Sequence, residues 1–298
     1  MAKEHKKLEL PPFDIRKAFD VTKTGPHSYL GVAPLTKPSQ ATKGAYGGNT
    51  VAQAILVALR ASPAGFTPNS IHSFFIKAVN DKEPVSWQVE EISNGKTFVN
   101  RFIRGYQGDT IVFTASVSLT KNNSTLQNAA RNNKNGLNFS IPPNNTMQAG
   151  EFANLPVIWR MAPLNIYQKI YSHQSDPETV TFVLRLGIKD DPDYHEPLTN
   201  VDNEFKYVGV TALTDWMALD FLLPHLDVDV RPKVQASIDH SVYYHEDDFD
   251  VDDWFIYVLS MRWAGNDRAL LKGDVYTSDK RHVMTVVQER LHITSPKL

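Results

Sequence analysis

One order of segments occurs twice along this chain, with matching landmarks roughly 165 residues apart. In the first half, apolar residues recur with the spacing of a helix, at positions 51, 54, 55, 58 and 59. Four strand-like segments then follow, at 70–76, 84–91, 97–106 and 110–119. The dipeptides Asn94-Gly95 and Gly108-Asp109 between them favour hairpin turns. This half therefore predicts one helix followed by antiparallel strands.

The second half repeats that order. An apolar segment from Val208 to Leu223 predicts a helix, which Pro224 ends. Four strand-like segments come next, at 237–244, 254–263, 268–276 and 281–293. The repeat is too long for a solenoid and suits a duplicated domain.

The duplication sets the predicted domain boundaries. Residues 1–120 form the first unit and residues 156–298 the second. Residues 121–155 between them are rich in Asn and Ser and contain Pro142-Pro143, so they are interpreted as an exposed linker.

Each predicted helix is apolar over most of its circumference and must be covered on several sides. A curved antiparallel sheet wrapped around the helix provides that cover. The predicted fold class is therefore α+β, with two tandem units that each have a central helix and a curved sheet. This is the hotdog arrangement, and two such units in tandem, a double hotdog, usually join edge to edge into one sheet. The strand pattern by itself establishes only a duplicated α+β fold.

Composition excludes several kinds of function. The chain contains no cysteine, which rules out disulfides, a thiolate nucleophile and Cys-ligated zinc. A net charge of −2 gives no reason to expect binding to nucleic acid or to an anionic membrane. We see no signal peptide and no apolar run long enough to span a bilayer. The last residues, Pro296-Lys297-Leu298, are similar to the peroxisomal Ser-Lys-Leu signal, so a peroxisomal or cytoplasmic location is expected.

An ordered set of short motifs resembles the type II acyl-CoA thioesterases, which include bacterial thioesterase II and the peroxisomal enzymes of fungi and animals. The motifs are Gly47-Gly48-x4-Gln53-Ala54, Ile71-His72-Ser73-Phe74-Phe75-Ile76, Asn94-Gly95-x2-Phe98, Thr214-Asp215, Ser237-Ile238-Asp239-His240-Ser241 with His245, Trp254, and Val287-Gln288-Glu289. The resemblance covers most of the chain outside the linker. One departure is Arg290, where the family often has a glycine after Gln-Glu.

The resemblance implies hydrolysis of fatty acyl-CoA by a water that three polar residues position. These residues fall on Asp215, Ser237 and Gln288. No metal and no organic cofactor is implied, and the expected partners are the acyl-CoA substrate and further copies of the chain, as a dimer or tetramer. Asp215 would take the proton of the water, while Ser237 and Gln288 would orient it. The Gly47-Gly48 turn is the candidate source of backbone N–H groups for the oxyanion.

Several alternatives remain open at this stage. Asp220 lies five residues after Asp215 on the predicted helix, roughly 140° around it, so at most one of them faces a given site. His240 is a possible base, but it points away from the adjacent Asp239 on a strand, which favours a structural role.

Two other functions compete: a hotdog hydratase or dehydratase, and a non-catalytic acyl-CoA or lipid carrier. Contacts to the CoA phosphates could come from basic residues such as Lys77, Lys96, Arg101 and Arg104, none of which is assigned.

Overall fold

The structure is a computed structural model that describes residues 7–38, 42–124, 126–127, 157–161, 164–172, 179–189, 194–202, 204–216 and 232–294. Most of the predicted linker and the C-terminal Pro296-Lys297-Leu298 lie outside the described residues. Among the described residues, no helix is long and apolar enough to cross a membrane. The predicted domain boundaries stay a prediction.

The first half contains a short helix, a long helix and eight strands among the described residues. The helices are α1 (Ile15–Phe19) and α2 (Gly47–Arg60). The strands are β1 (Leu8–Glu9), β2 (Phe13–Asp14), β3 (Val21–Gly25), β4 (Ser28–Gly31), β5 (Thr67–Phe75), β6 (Ser86–Asn94), β7 (Phe98–Gln107) and β8 (Thr110–Thr120). The helix and the four strands predicted for this half are confirmed, with ends shifted by up to three residues.

The second half has one helix and ten strands among the described residues. The helix is α3 (Phe205–Thr214). The strands are β9 (Val157–Met161), β10 (Leu164–Ser172), β11 (Thr179–Leu186), β12 (Tyr194–His195), β13 (Leu198–Thr199), β14 (Pro232–Ser237), β15 (Asp239–Tyr244), β16 (Phe255–Gly265), β17 (Arg268–Thr277) and β18 (His282–Thr294). The last four strands confirm the predicted meander.

A single antiparallel sheet joins the two halves, and it has fourteen strands among the described residues. Its central order is β6-β7-β8-β5-β15-β18-β17-β16, so each half presents its strands in the mirror order of the other. The halves meet where β5 pairs with β15, with His72 opposite Ser241. This symmetry is the structural form of the duplication in the sequence, and it confirms the predicted tandem hotdog arrangement.

The two long helices pack against each other and are buried. All residues of α2 from Gly48 to Ala58 are buried, as are residues 207–214 of α3. The helices come unusually close at Gly48, since a Cβ added there would fall inside the contact distance of the Ala212 carbonyl oxygen. The first turn of α2 therefore lies directly beside the C-terminal end of α3.

The extent predicted for α3 is wrong. The helix begins three residues before Val208 and ends at Thr214, so Asp215 lies in a turn at its C-terminus and not in its first half. The carbonyl of Thr214 accepts a hydrogen bond from the hydroxyl of Tyr257 at 2.8 Å, and this contact satisfies an acceptor that the helix end leaves free. Residues 217–231, including Asp220, lie outside the described residues.

Candidate active site

The three residues predicted to position a water meet in one cluster. Asp215 follows α3, Ser237 ends β14, and Gln288 lies in the middle of β18. The Ser237 hydroxyl donates to Oδ1 of Asp215 at 3.2 Å, and Nε2 of Gln288 donates to the same oxygen. Ser237 Oγ and Gln288 Nε2 are 3.1 Å apart. Gln288 is fully buried and Asp215 is 8% exposed, so this polar cluster lies inside the protein.

The second carboxylate oxygen of Asp215 binds the first turn of α2. The backbone N–H of Gly48 donates to Oδ2 at 2.9 Å, where the helix dipole favours a negative charge. A Cβ on Gly47 would lie 2.6 Å from the same oxygen, so the carboxylate fits here only because glycine has no side chain. The Gly48 N–H was expected to serve the oxyanion. It is instead occupied by Asp215.

A β-bulge brings Ser237 into this cluster. Both β14 and β15 pair with β18, but Ser237 lies opposite Arg290 while Ser241 lies opposite Val287. Four steps along the first strand thus oppose three steps along β18. One extra residue has been inserted, which is the definition of a bulge.

The bulge also determines which face His240 occupies. Asp239 stabilises the bulge, because its Oδ1 accepts a hydrogen bond from the backbone N–H of Glu289 at 2.6 Å. Since one extra residue shifts the alternation of side chains, Ser237 and His240 both reach Nε2 of Gln288, each at 3.1 Å. Asp239 and His240 bind different partners, Glu289 and Gln288, which agrees with the prediction that they do not pair with each other. The contact of His240 with the cluster was not predicted, because a sequence does not show a bulge.

The ring of His240 is fully buried and both of its nitrogens have partners. Nδ1 lies 3.1 Å from Gln288 Nε2, and Nε2 lies 2.8 Å from the hydroxyl oxygen of Thr214. Burial lowers the pKa of His240, and the nearby charge of Asp215 opposes that effect only in part. The expected structural hydrogen bonding of this histidine is confirmed, but its partner is a member of the candidate site.

Two buried polar atoms, on Gln288 and on a residue that packs against Gly48, have no hydrogen-bond partner within the described part of the chain. One is Oε1 of Gln288 and the other is the hydroxyl of Tyr46, the residue before α2. Buried polar atoms are nearly always paired, so unpaired ones on residues that contact Asp215 or its neighbour Gly48 indicate that a ligand or water completes the site. Sequence reasoning did not single out Tyr46.

Arg101, one of the candidate residues for the CoA phosphates, is buried and bonded within the protein. Arg101 is 2% exposed, and its guanidinium donates to the carbonyl oxygens of Ala61 and Ser93 and to Oδ1 of Asn94, at 2.7–3.0 Å. These contacts fix the turn between β6 and β7 to the end of α2. Arg101 therefore has a structural role.

Comparison with known proteins matches each half of the chain to a family of acyl-CoA thioesterases. A family described as acyl-CoA thioesterase N-terminal domain matches residues 35–120, and a family described as acyl-CoA thioesterase matches residues 198–291. Human acyl-coenzyme A thioesterase 8 is 22% identical over 276 residues, which cover 85% of this chain and 82% of the human protein. The yeast peroxisomal acyl-coenzyme A thioester hydrolase 1 is 34% identical over 89 residues, which are 30% of this chain and 24% of that protein.

A solved structure shares the fold over nearly the whole chain. The tesB protein of Mycobacterium avium subspecies paratuberculosis superposes with a TM-score of 0.71 at 20% identity, and covers 95% of this chain and 98% of its own. At this level of identity the likeness concerns the fold alone.

Proposed function

We propose that this chain, which belongs to the type II acyl-CoA thioesterase family, hydrolyses fatty acyl-CoA thioesters to free fatty acid and CoA. The observation that carries the proposal is the convergence of Ser237, Gln288 and the Gly48 amide on the buried carboxylate of Asp215. Three groups from separate parts of the chain hold one carboxylate in a fixed orientation. Such preorganisation is what a general base needs.

In the proposed reaction a water attacks the thioester carbonyl while Asp215 takes one of its protons. A carbon–oxygen bond forms, and the carbonyl π electrons move to the oxygen to give a tetrahedral oxyanion. When this intermediate collapses, the carbonyl re-forms and the carbon–sulfur bond breaks. The CoA sulfur leaves with the bonding electron pair and receives the proton held by Asp215. No covalent enzyme intermediate is needed, because the thioester carbonyl is sufficiently electrophilic.

The remaining polar groups suit the water. Oε1 of Gln288 is an unpaired acceptor next to the Asp215 carboxylate, so it can accept the second proton of the water as a hydrogen bond. Ser237 is partly exposed, donates to Asp215 and accepts from Gln288 Nε2, so it positions the water indirectly, by holding the carboxylate and the amide. The water would then be aimed by one acceptor, Oε1 of Gln288, and one base, Asp215, which together use both of its protons.

The hydratase or dehydratase alternative requires a histidine that exchanges a proton with the substrate. Both ring nitrogens of His240, the histidine in contact with this cluster, are engaged by Gln288 and Thr214. This ring has no free nitrogen to offer to a substrate. The geometry therefore favours hydrolysis.

The proposal is tested by incubating the purified chain with short, medium and long saturated acyl-CoAs and measuring the free CoA released. We expect steady release with at least one chain length. No release at any length, together with intact binding of acyl-CoA, would leave the non-catalytic carrier as the function.

Location and assembly belong to the same proposal. We expect a peroxisomal or cytoplasmic enzyme, because Pro296-Lys297-Leu298 is similar to the peroxisomal signal and one relative is named as peroxisomal. A fluorescent protein carrying the last ten residues, imaged beside a peroxisomal marker, separates the two locations. The expected dimer or tetramer is tested by light scattering after gel filtration.

A further inference from the structure

We infer that His240 is a positioning residue: its neutral ring, with the proton on Nε2, accepts a hydrogen bond from Gln288 and so determines which end of that amide faces Asp215. The inference deepens the proposed function, on which its kinetic test rests. It follows from counting the protons available in the cluster.

The hydroxyl of Thr214 determines which nitrogen of His240 carries the proton. Its hydroxyl oxygen lies 2.6 Å from the carbonyl oxygen of Thr211 and 2.8 Å from Nε2 of His240. The carbonyl can only accept, so the single hydroxyl proton of Thr214 lies in the bond to Thr211. The second contact then requires a proton on the imidazole, and His240 carries N–H at Nε2.

In a neutral ring with a proton on Nε2, Nδ1 has a lone pair. That lone pair faces Nε2 of Gln288 at 3.1 Å, so it accepts one amide proton. The other amide proton goes to Oδ1 of Asp215. Both protons of the amide then have an acceptor, and the 3.1 Å contact from the amide nitrogen to Ser237 Oγ shares one of them, while the Ser237 hydroxyl keeps its own proton for the carboxylate.

This arrangement allows only one orientation of Gln288. A flipped amide would place its oxygen against the Asp215 carboxylate and against the lone pair of His240, and both contacts would be repulsive. The observed orientation leaves Oε1 unpaired, as the acceptor available for the water. His240 therefore acts on the proposed reaction through Gln288, without touching the substrate.

The surroundings of His240 keep it neutral. Burial and the charge of Arg290 on β18 lower its pKa, while Asp215 at the end of α3 raises it, and burial is the largest effect. A charged ring would also set an N–H against the N–H of Gln288. The network is consistent only with the neutral form.

A pair of substitutions tests the hydrogen bond. His240→Leu removes the acceptor, and we expect kcat to fall about 10- to 100-fold with KM little changed, because the amide loses its fixed orientation. His240→Asn restores an acceptor oxygen near the place of Nδ1, so kcat should recover to within a few-fold of the parent. His72→Leu, on the exposed face of the neighbouring strand β5, is the matched control and should leave kcat unchanged. A kcat for His240→Asn as low as that for His240→Leu would overturn the inference.

The same change is then made in a Gln288→Leu background. If His240 acts through Gln288, adding His240→Leu lowers kcat no further in this background. An equal loss in both backgrounds would show that His240 acts by another route, such as general stability, and would overturn the inference.

Nitrogen NMR of the intact parent protein, labelled with nitrogen-15 in histidine, tests the network without any activity. The signals that are present in the parent spectrum and absent from that of His240→Asn belong to His240. They should show a protonated Nε2 and an unprotonated Nδ1. A protonated Nδ1 would contradict the assignment. Because this readout does not depend on hydrolysis, failure of the inference and failure of the proposed function are distinguishable.

The buried hydroxyl of Tyr46 is a candidate donor to the oxyanion of the proposed reaction. We infer that the Tyr46 hydroxyl donates to the thioester carbonyl oxygen, since the Gly48 N–H that was expected to do so is bound to Asp215. Tyr46 is 9% exposed, and its hydroxyl lacks a partner among the described residues. Its ring lies against Gly48, with Cε1 and Cζ only 2.6 and 2.9 Å from the position that a Cβ would take.

The hydroxyl is suited to donate. Burial, together with the charge of Asp215, raises the pKa of Tyr46 well above its usual value, so the group keeps its proton at neutral pH. An unpaired buried hydroxyl costs stability in the free protein. A carbonyl oxygen that acquires negative charge during the reaction would satisfy it.

Two tyrosines with opposite roles provide the test. Tyr46→Phe should lower kcat about 100-fold, as loss of one oxyanion donor does, without lowering the melting temperature. Tyr244→Phe removes a hydroxyl that is paired with Thr211 at 2.6 Å, and should lower the melting temperature while leaving kcat unchanged. A Tyr46→Phe variant with the kcat of the parent would overturn the inference.

Discussion

Replacement of Asp215 by Asn is expected to lower kcat for acyl-CoA hydrolysis by about 10³-fold while the protein stays folded. The amide of Asn is almost the same size as the carboxylate, and its oxygen can still accept a hydrogen bond from Gln288. What is lost is the group that takes the proton of the attacking water. Free CoA release under saturating substrate measures kcat, and a thermal melt of the same sample measures folding.

Asp220→Asn is the matched control for this change. It alters an aspartate five residues further along the chain, which the sequence left as a competitor for the same role. We expect this variant to retain the activity of the parent. An inactive Asp220→Asn beside an active Asp215→Asn would keep the proposed function and move the base to Asp220.

The largest expected effect on stability comes from Gly48→Ala. Helix propensity alone would favour alanine by up to about 1 kcal/mol. Here the new methyl group would collide with the Ala212 carbonyl oxygen and would lie 2.6 Å from Cε1 of Tyr46. Because a backbone atom cannot move aside as a side chain can, α2 and α3 must separate, and the free energy of unfolding should fall by about 1–3 kcal/mol. Urea denaturation measures this change.

Separation of the helices should also reduce activity, since the Gly48 N–H holds Asp215 in place. The control is Gly25→Ala, whose new methyl group would meet Ser28 only at an ordinary contact distance of 3.6 Å. It should leave both stability and activity close to those of the parent. A Gly48→Ala protein that is more stable than the parent would mean that the helices are not in contact at this point.

Local patterns in the sequence were sufficient for much of the fold. Helical spacing of apolar residues located α2, and the hairpin signals at Asn94-Gly95 and Gly108-Asp109 lie at the observed turns between strands. Resemblance to a family located Asp215, Ser237 and Gln288, which the structure brings together. Periodicity alone would not have selected those three residues from the other polar residues of the chain.

The remaining features depend on contacts between distant parts of the chain. The end of α3 at Thr214 involves the hydroxyl of Tyr257, which lies 43 residues further along. The bulge that turns Ser237 and His240 to the same side is visible only from their pairing with β18. The hydrogen bond from the Gly48 N–H to Asp215 joins the two halves of the chain through residues that are 167 positions apart. No local pattern encodes such contacts.

The central claim is that a water held by Asp215 attacks the thioester directly, and a single turnover in oxygen-18 water tests it most directly. The enzyme is used in excess over acyl-CoA, and both the released fatty acid and the peptide that contains Asp215 are analysed by mass spectrometry. We predict one heavy oxygen in the fatty acid and none in the peptide. Heavy oxygen in the Asp215 carboxylate would show that the carboxylate itself attacks the thioester, which would contradict the account.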